Sequence, residues 1–136
     1  HADAKGIYSG YAGQGDDRSL DMSGEKFLRG NRLADASGVV AFRTIYPGWY
    51  RGRTAHIHFK VILNDADVLT GQMFFPDDFS EHIYTTLAPY TDRPGKRDMF
   101  NKDDRIALDA GPAAHAAIRE GAAAHEALMI IGVKAA

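Results

Sequence analysis

The chain has 136 residues, 45% of them hydrophobic and 25% charged, with 16 Lys and Arg against 18 Asp and Glu for a net charge of −2. Size and balance suit one soluble domain, residues 1–136, and argue against nucleic acid or an anionic membrane as the main partner. Cysteine is absent, which excludes disulfides, thiolate metal sites and a cysteine nucleophile and leaves His, Tyr and carboxylates as ligands.

Residues 1–11 read as the end of a strand whose Gly6–Gly10 segment turns Tyr8 inward, and residues 12–24, rich in Gly, Asp and Ser, as an exposed loop. Short strands are expected at 27–33 and 39–46, separated by a turn at Ala36-Ser37-Gly38. A strand over 55–63 is followed by an Asn64-Asp65 turn and a hairpin partner over 67–75. Pro76-Asp77-Asp78 ends that partner, and Ser80 is expected to cap a short helix through Leu87. Residues 89–97 read as loop, and 99–108 as either short helix or extended chain. The alanine-rich 110–124 is broken by Gly111, Pro112 and Gly121 and reads as irregular. A final strand is expected at 127–133. Many short strands with turn signals between them point to an all-β, antiparallel two-sheet β-sandwich with a short helix and long loops. A double-sheet jelly roll is the alternative. No apolar run approaches the ~20 residues of a membrane span. The chain begins at His1 rather than Met, so a segment is expected to have been removed upstream. A leader peptide is one source, and the compartment, cytoplasmic or exported, stays open.

The chemistry gathers in FRTIYPGWYRGRTAHIHFKV, residues 42–61. In an extended strand, side chains two apart share a face, so His56 and His58 point together while Ile57 points away. Their Cα atoms then lie roughly 6.5–7 Å apart, close enough for two imidazoles to meet on one metal ion. A Gly52 turn can fold Tyr50 and Arg53 back over that face. The bland alternative is a pair of hydrogen-bonded core histidines.

The run TIYPGWYRGRTAHIHFKV resembles the signature of the intradiol ring-cleavage dioxygenases, and HADAKGIYSGY before it and LTGQMFFPDD after it extend the likeness. The resemblance implies a transthyretin-like two-sheet sandwich holding one non-haem, mononuclear Fe(III). Position by position it implies Tyr8, Tyr50, His56 and His58 as ligands, with Tyr50 and His56 axial and Tyr8 and His58 equatorial. Two phenolates favour a hard ferric ion over Fe(II) or Zn(II). The implied reaction opens a catechol-type aromatic diol with O2, between its two hydroxyls, to a cis,cis-muconate-type diacid. Arg53 would stabilise negative charge on the substrate through its fixed guanidinium fork, or else be a surface arginine paired to a carboxylate. Gln72 would line the pocket, or point to solvent.

Tyr46 is expected in the core or at its rim, and Tyr11 on a loop surface. His82, His115 and His125 read as surface residues, His1 as a motif residue at a free end, and Asp103 and Asp104 as fold-shaping without chemistry. Arg51 and Ala55 stand where family members often have proline, and Arg51 is expected to be solvated. The strands and helices that should precede the first motif are missing, so the domain is expected to be N-terminally truncated relative to longer family members, with an open pocket. A homo-oligomer is left open. Two further readings stand beside the enzyme: a non-catalytic β-sandwich binding module, and a two-histidine Fe(II) or Zn enzyme on a jelly roll.

Overall fold

The computed structural model describes residues 1–134. Its order is β1 (His56–Leu63), β2 (Ala66–Phe74), α1 (Asp77–Thr86), a 3₁₀ turn at Tyr90–Asp92, α2 (Arg105–Ala110), a second 3₁₀ turn at Pro112–Ala114, β3 (Ala117–Arg119) and β4 (Glu126–Leu128). The chain is mostly sheet and loop, with two antiparallel two-stranded sheets, β1–β2 and β3–β4, among the described residues.

The β1–β2 hairpin is the organising element. Asn64 and Asp65 both take positive φ, 51° and 62°, as a two-residue turn matched to strand twist requires. The register sets His56 opposite Phe74 and His58 opposite Gln72, with a shift between Val61 and Ile62. Directly paired residues share a face, so His56, His58, Gln72 and Phe74 line one side. Ile57 and Met73 turn to the other and pack on the main core of Trp49, Ala55, Phe75, Phe79, Ile83, Tyr84 and Ala116.

Helix α1 closes that core with Phe79, Ser80, Ile83 and Tyr84, whose spacing makes one amphipathic face. It begins four residues earlier than the sequence suggests. Pro76 is the N-cap and Asp77 and Asp78 fill the first turn, where negative charge meets the positive end of the helix dipole. Ser80 therefore sits inside the helix, donating from Oγ to the Pro76 carbonyl at 2.9 Å and meeting Tyr46 Oη at 2.7 Å. Tyr46 thus belongs to the core margin. Buried Arg97 ties the following loop back to α1 through Asp77, at 2.8 Å, and Glu81.

Three expected strands are not formed as such. Residues 27–33 and 39–46 run without a ladder partner, and 127–133 pairs only at its start, within β4. β-Propensity reflects packing against a neighbouring strand, and among the described residues no neighbour pairs with these segments. The turn between the first two does form, with Gly38 N–H donating to the Asp35 carbonyl at 2.9 Å. Residues 1–11 make isolated bridges, Ala2 to Tyr8 and Ile7 to Gly15, rather than a strand. The irregular reading of 110–124 gives way to the second 3₁₀ turn and β3. Of 99–108, the helical alternative is found from Arg105 onward as α2. No helix among the described residues is long and apolar enough to cross a membrane.

Candidate metal centre

Two loops and one strand converge on the polar face of β1. The first loop is the HADAKG turn, whose Ala2–Tyr8 bridge buries the Tyr8 ring. The second is Pro47-Gly48-Trp49, pressed against the first so closely that a Cβ on Gly48 would collide with the Asp3 carbonyl. Gly is therefore required by the approach of two backbones, and this contact brings Tyr50 to Tyr8. Their ring centroids lie 5.7 Å apart, and Ala2, Tyr8 and Tyr50 form a small core of their own. Arg93 locks the second loop, its guanidinium carbon 3.6 Å from the centre of the Trp49 ring and its Nη1 donating to the Trp49 carbonyl at 2.5 Å.

After Tyr50 the chain reverses through Gly52, at φ +79°, and enters β1. His56 is 2% exposed. Its Nδ1–H donates to the Thr54 carbonyl at 2.7 Å, which leaves Nε2 as a lone pair. Tyr50 O–H donates to that Nε2 at 2.9 Å, and His58 Nε2 lies 3.1 Å from it. Burial, helped by the Arg53 charge, pushes the His56 pKa down to about 3. Burial and then Arg53 lower that of His58 as well, so both rings are neutral at pH 7 and available as ligands. Burial raises the Tyr50 pKa above the ordinary phenol value, so Tyr50 binds a metal as phenolate only if the ion displaces its proton.

The donor set fits an ion. Two donors held at about 2 Å on adjacent positions of one metal stand about 3 Å apart, the spacing found between the two Nε2 atoms. A third imidazole, His1, supplies a ligand atom within 4.8 Å of those of His56 and His58. Its buried Nε2 has no hydrogen-bond partner. The sequence reading placed His1 at a free end and missed it; the signal was the turn geometry of HADAKGIY, which returns Tyr8 beside the start of the motif.

Arg53 enters the site from the Gly52 turn, its side chain 19% exposed. Nε donates to Asp104 Oδ2 at 2.9 Å and Nη2 to Gln72 Oε1 at 2.6 Å. Arg53 is thus paired to a carboxylate and also lines the cleft. Gln72 turns inward to hold it. Asp104, expected to shape the fold only, also accepts from Thr54 N–H at 3.0 Å and caps α2 through Ile106 and Ala107. Burial alone would raise its pKa, but the Thr54 N–H and Arg53 bonds outweigh that and hold it below the usual carboxylate value. Asn101 completes the brace, accepting from Thr54 Oγ1 at 2.8 Å and donating to the Phe75 carbonyl at 2.7 Å.

The cleft over these groups measures about 250 Å³ and is lined by Tyr8, Tyr50, Arg53 and His58, with Arg18 and Arg51 nearer solvent. Arg51 is exposed and 3.6 Å from Asp16, as a solvated arginine should be. Tyr11 is 56% exposed, and His82 and His125 are exposed as well. His115 departs from its expected surface position. The Ala116 N–H donates to the Phe74 carbonyl at 2.8 Å, which lays the half-buried His115 ring 5.7 Å from Phe74. Tyr8, Tyr50, Arg53 and His58 thus line one cleft, with His56 bonded to Tyr50 and His58, His1 packed on Tyr8 and His58, and Gln72 and Asp104 holding Arg53.

Among solved structures, the chain superposes on an intradiol ring-cleavage dioxygenase from Tetranychus urticae with TM-score 0.82 and 29% identity, covering 97% of this chain and 67% of that one. The crystal structure of a second dioxygenase gives TM-score 0.82 and 28% identity, covering 97% and 66%. The chain therefore spans about two thirds of the length of these proteins. No family description and no curated protein matches its sequence.

Proposed function

We propose that this chain, which superposes on intradiol ring-cleavage dioxygenases with TM-score 0.82, is an oxidoreductase of that family and opens a catechol-type aromatic diol between its hydroxyls, using O2 and one non-haem Fe(III). In this reading Tyr8, Tyr50, His56 and His58 hold the ion, and the product is a cis,cis-muconate-type diacid. The observation that carries it is the meeting of Tyr50 Oη, His56 Nε2 and His58 Nε2 within 3.1 Å steps on the floor of an arginine-walled cleft.

A ferric ion bound there supplies the electron-withdrawing centre that makes a diol ring reactive toward O2. The protein's own groups do the rest. Tyr50, once held as phenolate by the ion in place of its bond to His56 Nε2, would have the basic oxygen placed to take a proton from a substrate hydroxyl. Arg53 presents a charge held by Asp104 and Gln72 at two of its nitrogens. A pre-oriented guanidinium needs no reorganisation as negative charge builds on the ring. Gln72 positions Arg53. The two-sheet, transthyretin-like sandwich and a single catalytic domain over 1–136 belong to the same reading.

Oxygen uptake by iron-loaded protein, screened over catechol, protocatechuate and hydroxyquinol with product identification, tests the proposal. Consumption with a ring-opened diacid supports it. No uptake with any diol by protein that holds iron favours a binding module of the same fold.

A further inference from the structure

One imidazole beside the cleft stands outside the ligand set named above. The His1 ring centroid lies 4.7 Å from that of His58, 5.1 Å from His56 and 4.5 Å from Tyr8. One nitrogen from each of the three histidines falls within a 4.8 Å cluster. The position is built, because Ser9 N–H donates to the His1 carbonyl at 2.9 Å and Ala2 is bridged to Tyr8. The turn that delivers Tyr8 therefore delivers His1 also. Buried nitrogens are ordinarily paired, yet His1 Nε2 is buried without a protein partner, and it belongs to a ring packed against both other imidazoles.

We propose that His1 is a third imidazole donor to the ion, so that His1, His56 and His58 together can hold a divalent transition-metal ion without help from either phenol. This rests on reading the cluster as a metal centre. Imidazole binds such ions as the neutral ring, whereas a phenol must first lose its proton. The consequence is a centre with two modes. Three nitrogens suffice for a divalent ion, and the tyrosines become necessary only for the ferric state.

Metal-stripped protein is titrated with Co(II), followed by its visible absorption, and one equivalent of Cu(II) is examined by pulsed EPR to count coordinated imidazoles. The expected result is three imidazoles in the wild type and in Tyr50→Phe. In His1→Gln the count falls to two and Co(II) binds at least ten-fold more weakly, since even outer partners of a ligand are worth that much. Two imidazoles in the wild type, with Co(II) affinity unchanged in His1→Gln but lost in His58→Gln, would overturn the role of His1 and leave the metal centre standing. A single imidazole in the wild type would place copper on one stray histidine and overturn it too. Failure of the wild type to take up either Co(II) or Fe(III) would overturn this inference and the metal-centre reading together.

Discussion

The frame beneath the cleft and the outlying segments at 27–45 and 127–134 are built on opposite terms. Beneath the cleft, buried His56, Thr54, Asp104 and Phe74 are 3% exposed or less, and bonds such as Arg53–Asp104 join residues 51 positions apart. In the outlying segments Leu33 is 97% exposed, Ile130 88% and Val39 60%, and few ladder bonds hold the backbone. The same extended conformation thus gives a fixed scaffold where a partner strand and buried polar bonds exist, and unsupported chain where they do not. Local propensity is common to both; long-range pairing is what separates them.

That contrast can be broken at the frame. Arg53→Ala should lower turnover by about 10²–10³-fold, the usual loss for one pre-oriented charge donor, while iron colour and diol binding persist; single-turnover kinetics on the iron-loaded variant measure this. Asp104→Ala should destabilise the fold by about 3 kcal/mol, since it strands a half-buried arginine and uncaps α2, as read from urea unfolding. The difference should depend on pH. The Asp104 pKa is depressed in the folded state, so its contribution is complete above the ordinary carboxylate pKa near 4 and is lost as pH falls through the depressed value. Wild type and Asp104→Asn should therefore converge in acid. A pH-independent gap would remove the charge from the account.

Smaller effects sharpen the comparison. Gly48→Ala forces the Pro47–Trp49 loop off the Asp3 carbonyl and should cost about 1–3 kcal/mol while loosening Tyr50 against Tyr8. Leu33→Ser in an outlying segment should change stability by less than about 0.5 kcal/mol and leave turnover alone. A large loss there would mean the segment is covered in solution.

What was legible in the sequence follows the same division. The His56–His58 pair, the Asn64-Asp65 turn and the hairpin around them could be read because period and turn chemistry are local. The likeness of motifs then supplied Tyr8 and Tyr50, which the fold brings together through the Gly48 contact. Asp104 and His1 could not be read in this way, because their roles come from tertiary approach: one reaches Arg53 from the N-terminus of α2, the other reaches His58 through a tight turn. The strands expected at 27–33 and 39–46 failed for the complementary reason. Valine, phenylalanine and isoleucine there favour a sheet, but the chain as described gives them no partner.

The central claim is that phenol oxygens and imidazole nitrogens share one ferric ion at this cleft. The most direct measurement is the visible absorption of the Fe(III)-loaded protein, compared with its Tyr50→Phe and Tyr8→Phe variants. The account predicts a burgundy protein with a broad tyrosinate-to-iron band that shifts or weakens in each variant. Bound iron without colour, or a band untouched by both substitutions, would contradict it.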